Sequence, residues 1–387
     1  PIDFFLYKDF EVRLTEVESI YKNLKLETYT DYKLSNEFKF YNQTKYKKEY
    51  YGYEDLNLSL NFNFYDSFSN NIATQDSFKI KNISNRIGIK GNSKLFNYDI
   101  YGNFGYFKYH VNALENSFSE IYVGGLLKYK NPSFDVVSNF EIKKSSDYRL
   151  KVDLKSKIFE ASYLSALYEP KIFERIYLGN HYSWENNFNS SFVNNLNAKI
   201  NLENRFITFS PSINFYTIKD HIYFVGDNHL QADQVITFNQ FIIDLKLKLL
   251  NNKINFDNKF TYNLSSNSAN GILNFPKQTL YSKLYYNGIW FNNTIPVQLG
   301  TIISYRSEFY GDAYDPITQN FYVQNEFMLE RYLRFDLFFT MQVNNLRIFL
   351  KMNHFNQFDS FDGYFVTPYY PAQKKVLDLG VRWYFFN

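Results

Sequence analysis

The sequence predicts an all-β protein: a single transmembrane antiparallel β-barrel of the outer-membrane type, with about 16 strands in a range of about 14 to 18. Three observations predict it. Apolar and polar side chains alternate with a period of two from end to end. No stripe at helical spacing is sustained. Aromatic residues, 36 Tyr and 42 Phe among them, make up 21% of the 387 residues. Such rings suit pleated strands, and tyrosine sits well at the headgroup level of a membrane.

Along the chain, LNLSLNFNFY (56–65) sets Leu56, Leu58, Leu60, Phe62 and Phe64 against Asn57, Ser59, Asn61 and Asn63. In RLKVDLK (149–155), Leu150, Val152 and Leu154 oppose Arg149, Lys151, Asp153 and Lys155. LNAKINLE (196–203) and IIDLKLKLL (242–250) repeat the pattern, the second with Asp244, Lys246 and Lys248 on its polar side. LRFDLFFTMQVNNLRIFLKMNHF (333–355) alternates, pauses at Asn344 and Asn345, and alternates again. That is a hairpin signature. Further strands are expected near 9–15, 23–30, 35–44, 78–90, 95–109, 119–129, 134–143, 206–218, 254–264, 278–291, 297–306, 321–331 and 375–386. The one helix candidate, Glu160–Phe173, is cut short by Pro170. Tight turns at 145–146, 251–252 and 344–345 contrast with long connections at 66–76, 219–234, 265–275, 308–319 and 356–374. Short turns at one rim and long loops at the other are how outer-membrane barrels are built.

Alternation alone also fits a soluble sandwich. A single undivided chain with this many amphipathic strands would make an outsized sandwich, whereas closing one sheet removes every edge. Aromatic clusters at YYGYED (50–55), LYYNGIWF (284–291) and RWYFF (382–386) fall near strand ends, where membrane girdles lie. A basic residue on a lipid face costs roughly 2–4 kcal/mol at mid-depth. On the cleanest strands every charge lies on the other face. Asn258 interrupts the apolar register of its strand.

Lys and Arg number 42 against 39 Asp and Glu, a net charge of +3, so no field points to nucleic acid. There is no cysteine, hence no disulfide frame or thiolate metal site. The five histidines form no His-x-x-x-His pair, and no Gly-x-Ser-x-Gly elbow occurs. Neither an enzyme nor a cofactor is expected. His221 and His229 with Asp220, Asp227 and Asp233 are the nearest approach to a metal cluster; an exposed loop is the expected reading.

The last strand, KVLDLGVRWYFFN, follows YFVTPYYPAQ (364–373). This end resembles the β-barrel porin family of the Bacteroidota, through Gly380, Arg382, Trp383 and Phe385. With Phe386, these residues match the aromatic-ended strand through which outer-membrane barrels are recognised for assembly, although here Asn387 is terminal. The resemblance implies a cell outer-membrane location, contact with its lipid, the barrel assembly machinery as a partner during insertion, and other outer-membrane proteins as companions in a complex.

One barrel domain over 1–387 is expected, with room for a segment ahead of Pro1. If the polar face encloses a lumen, Asp244, Lys246, Lys248, Arg334, Asp336, Arg347, Lys351, Asp378 and Arg382 line it. Carrying both signs, this lining predicts little charge selectivity. The expectation is a channel for passive diffusion of small hydrophilic solutes, without energy coupling because no globular plug precedes the strands. A barrel that transports nothing and serves a larger complex is the alternative.

Overall fold

The computed structural model describes residues 2–8, 17–33, 38–55, 74–111, 114–145, 147–179, 182–292, 294–315, 318, 320–357 and 364–383. The expected strands at 9–15 and 56–65 and the residues Phe385 and Phe386 lie outside them. Among the described residues, one antiparallel sheet of 19 strands carries the fold. It is an up-and-down meander in which each strand pairs with the one before and the one after, from Ile2–Lys8 to Val376–Trp383. Leu202–Glu203 continues Ser191–Ile200 against the same neighbour, so 18 strands succeed one another. Among the described residues this number stands at the top of the expected range of about 14 to 18 and above its central value of about 16. The described residues are mostly antiparallel strand, consistent with an outer-membrane β-barrel.

Strands of 16 to 19 residues, such as Thr74–Asn92, Phe96–Val111 and Leu114–Lys130, exceed the roughly 9–11 that cross hydrocarbon when tilted. The long connections follow shorter strands, such as Phe159–Tyr168 and Ile207–Lys219. Those connections gather at one rim: 169–190, 220–235, 266–277, 307–331 and 354–375. The opposite rim holds tight turns at 93–95, 157–158, 250–253, 291–294 and 344–345. Asparagine explains much of this turn chemistry. Asn251, Asn252 and Asn344 take φ of 56°, 66° and 50°, a left-handed region that asparagine tolerates better than most residues. Both described ends of the meander fall at the short-turn rim, as an even number of crossings requires.

Two sequence readings change. Residues 159–168 form a strand, Phe159–Tyr168, paired on both sides; within the expected helix 160–173, helix begins only at Ile172, in the single turn Ile172–Arg175. Ala, Ser and Leu are neutral enough for sheet neighbours to override local propensity. The expected strand 321–331 is instead part of a long connection, with only Asn320–Tyr322 and Met328–Leu329 extended.

The packing is inside-out. Leu377, Leu379, Val381 and Trp383 are 58–72% exposed, and Leu333, Leu337 and Leu350 on neighbouring strands point the same way. Asp336, Asn255, Asn263, Asn214 and Asn103 lie buried on the opposite face. A water-soluble sandwich buries the reverse set. Within the described strands the arrangement fits lipid outside and polar side chains inside.

Candidate functional site

The polar face is held by cross-strand hydrogen bonds. Tyr41 Oη donates to Asp99 Oδ1 at 2.8 Å, and Tyr101 Oη to Glu141 Oε1 at 2.7 Å. The Arg86 guanidinium lies 3.8 Å above the Tyr101 ring. That ring lies against Gly124, where an added Cβ would meet it at 2.6 Å. Further round, an amide ladder crosses four strands. Asn197 donates to Asn214 Oδ1 at 2.5 Å, Asn214 to Gln240 Oε1 at 3.1 Å, and Gln240 to Asn263 Oδ1 at 3.0 Å. Each amide offers both a donor and an acceptor, so the chain satisfies itself. None of these residues entered the sequence reading, because single Asn, Gln and Tyr side chains carry no motif.

The nine charged residues expected on this face fall into two groups. Arg334, Asp336 and Lys351 come together: Arg334 Nε and Lys351 Nζ lie 3.3 and 3.4 Å from Asp336 Oδ2. Asp378 stands opposite Lys351 and accepts from Asn353 Nδ2, while Arg347 stands opposite Arg382. Gly380 stands opposite Phe349, whose ring occupies the space a side chain there would need. On separate strands, Asp244 faces Lys259, Lys246 faces Asp257 and Lys248 faces Asn255. Beside the first group, the His354 backbone N–H donates to Asp336 Oδ1 at 3.0 Å. Burial lowers the pKa of His354, and Arg334 lowers it further. Tyr364 anchors the loop after it by stacking on Tyr332 at 3.7 Å. Asp359 and Asp362 of that loop are outside the described residues; Tyr369 is 69% exposed.

The most developed feature is a cap at the long-loop rim. Residues 169–190 turn inward over the polar face. Pro170 starts the turn, and Glu174 accepts the Lys171 N–H at 2.7 Å. A two-stranded hairpin, Ile176–Leu178 with Ser183–Glu185, follows. Its Tyr177 and Trp184 stack at 4.6 Å and form a buried core with Tyr109, Val111 and Phe224. Tyr109 and Val111 belong to the polar face of the wall, whose face turns apolar at this height. Trp184 Nε1 donates to the Phe173 carbonyl at 2.6 Å. The hairpin Ile222–Val225 with Asn228–Gln231 packs alongside, and Asn186 Nδ2 reaches Asn228 Oδ1 at 2.9 Å. A third connection joins through the Val323 N–H, 2.7 Å from the Phe224 carbonyl. His229 is therefore wedged against Trp184 and Phe224, its pKa pushed down to about 4 by burial and by Lys171. Among the described residues, no three His, Cys, Asp or Glu side chains are grouped to hold a metal ion.

Under the cap lie a cavity of 770 Å³ and an adjoining one of 410 Å³. Both are lined by Phe118, Glu120, Lys143, Glu169, Ile172 and Arg175. This is a volume suited to a small molecule.

A family model described as "Putative porin" matches residues 3–387. The chain belongs to that family. No curated protein matches it. Its fold is shared with solved structures at about a tenth sequence identity. The FrpB iron transporter from Neisseria meningitidis (F5-1 variant) superposes with a TM-score of 0.66 at 10% identity, over 95% of this chain and 64% of that one. The copper transporter OprC gives 0.65 at 10% identity, over 90% and 61%. The pyoverdine outer-membrane receptor FpvA from Pseudomonas aeruginosa gives 0.60 at 10% identity, over 95% and 62%. The chain thus spans less than two thirds of the length of these molecules. It is an outer-membrane β-barrel protein of the porin family, with a fold shared with these receptors and transporters. Its structural relatives are transport proteins rather than enzymes. They overturn the expectation of a passive, uncoupled diffusion channel, because the architecture is shared with receptors and transporters of iron, copper and pyoverdine.

Proposed function

We propose that this chain is the barrel of a receptor-type outer-membrane transporter, which captures one class of solute at its long-loop rim and admits it by driven, saturable uptake. The observation that carries this reading is the cap. Three long connections spend their apolar residues on a shared core against the wall, instead of standing clear of the mouth. A freely conducting pore gains nothing from such a seal, whereas a receptor needs a shaped and closed surface.

In this reading the first and last strands pair to close the barrel. The polar face then surrounds a lumen lined by the nine charged residues, with the short turns in the periplasm. Gly380, Arg382, Trp383, Phe385 and Phe386 form the strand presented to the assembly machinery, and the chain falls in the Bacteroidota branch of its family.

The test compares cells lacking the protein with complemented cells for depletion of medium solutes, followed by the concentration dependence of uptake for any solute that differs. Saturation is expected. A rate rising linearly into the millimolar range would overturn the proposal.

A further inference from the structure

We propose that the upper edge of strand Leu114–Lys130 is a docking edge, on which a short extended peptide adds as one further strand. The inference rests on the receptor reading and names its substrate class. Topology is the first argument. On one side the strand pairs with Phe96–Val111 in unbroken register, from Phe96↔Tyr129 to Val111↔Leu114. On the other side its pairing with Phe134–Lys143 stops at Tyr122↔Lys143, where that neighbour ends and Tyr148–Ser156 returns beside it. One last bond, from the Lys144 N–H to the Ile121 carbonyl at 3.0 Å, closes the step. Above it, residues 115–120 run on for roughly 20 Å with no strand on that side among the described residues.

Backbone polar groups turn to alternate sides along a strand. The Ile121 carbonyl faces the Lys143 side, so the N–H and C=O groups of Ser119, Ser117 and Glu115 face it too. The Ser117 N–H is satisfied locally by Asn116 Oδ1 at 2.7 Å. For the Ser119 N–H and the Ser119 and Ser117 carbonyls, no backbone partner stands on that side among the described residues. Such a row is a template for another strand. The usual protections are missing: 114–121 contains no proline, and the register has no bulge.

The surroundings are the second argument. Residues 116–121 line the 770 Å³ cavity in succession, with Ile172 and Ile176 of the cap across from them and the Lys144–Ser145 turn at its foot. A space bounded in this way admits a single chain, whereas a second barrel would have to bring in its whole sheet. Phe118 and Ile172 both pack on the core of the cap, and an apolar peptide side chain opposite Phe118 would extend that contact. Charge does not select the ligand, since Glu120 lies 2.7 Å from Lys143 and Glu169 lies 3.8 Å from Arg175. What the cleft offers in a regular row is main-chain hydrogen bonding. Only another extended polypeptide matches that spacing, as in strand addition.

The full chain in detergent is titrated with a dye-labelled, end-blocked hexapeptide of alternating threonine and valine, followed by fluorescence anisotropy. Saturable binding is expected. The same peptide methylated at every second backbone nitrogen keeps one intact edge and should bind within about threefold of the parent. Methylation at every nitrogen should weaken binding at least about tenfold. Ser119→Pro removes the N–H that faces the cleft and none that faces Phe96–Val111, so it should do the same. Ser119→Ala keeps that N–H and should bind like the unmutated chain. Thermal melting followed by circular dichroism checks the fold of both variants, and the methylated peptides test the unmutated chain. Absence of saturable binding, or binding indifferent to full methylation or to Ser119→Pro, would overturn the inference. Dimerisation abolished by Ser119→Pro, in place of peptide binding, would also overturn it and assign the edge to a second copy. Saturable uptake of another solute without peptide binding would sink this inference and leave the receptor reading standing. Edge-dependent peptide binding with uptake that rises linearly would do the reverse.

Discussion

Asp336 is fully buried on the polar face, and Lys351 Nζ on the neighbouring strand lies 3.4 Å from its Oδ2. Arg334 approaches the same oxygen at 3.3 Å, and the His354 N–H donates to the other. One carboxylate thus ties together two strands and the start of a long loop. Removing a buried partner leaves the remaining charges uncompensated, at a cost of roughly 3–5 kcal/mol. Asp336→Ala should fall at the low end, since Arg334 and Lys351 keep about a third of their surface exposed. Urea unfolding in lipid vesicles measures it; a loss under about 1 kcal/mol would mean that the cluster is incidental.

The cap should loosen in acid. The folded pKa of His229 is about 4, below its ordinary 6.5, so the unfolded cap binds the proton more readily. Its contribution to cap stability is complete above pH 6.5 and is lost as pH falls through 4. Trp184 fluorescence in the Trp290→Phe/Trp383→Phe background should report a transition in that window. His229→Phe should abolish it; persistence of the transition would assign it to another group.

Leu337 and Thr340 sit on one strand with opposite faces. Leu337→Arg puts a charge toward lipid and should cost roughly 2–4 kcal/mol in vesicle unfolding, while Thr340→Arg should cost under about 1. Equal costs at the two sites would contradict the inside-out packing.

Barrel closure can be tested without background, because the chain has no cysteine. Phe5→Cys is combined in turn with cysteine at 377, 378, 379, 380 and 381, and each pair is oxidised. Strand pairing predicts efficient cross-linking confined to one register and its immediate neighbour. Cross-linking that is absent or equal at all five positions would argue against a closed sheet.

The sheet was legible in the sequence where both faces obeyed the period of two. Lys246 and Lys248 alternate with Leu245, Leu247 and Leu249, and the structure places each set on its own face. Phe159–Tyr168 was not legible: EASYLSALY carries polar and apolar residues on both faces near the cap, and Pro170 follows it. The region 321–331 misled in the other direction, since an aromatic-rich connection resembles a strand until its partners are known.

Local alternation, together with a turn asparagine such as Asn344, determined that this chain would form paired amphipathic strands, and which side of each would be oily. Both are properties of neighbours along the backbone. The cap, the amide ladder and the Asp336 cluster were decided only by tertiary structure. Tyr109, Trp184, Phe224 and Tyr322 are far apart in the chain and meet in one core because the register of the wall and the folding of three loops bring them there. Such contacts arise from side chains on non-adjacent strands and loops, and no periodicity along the chain records them.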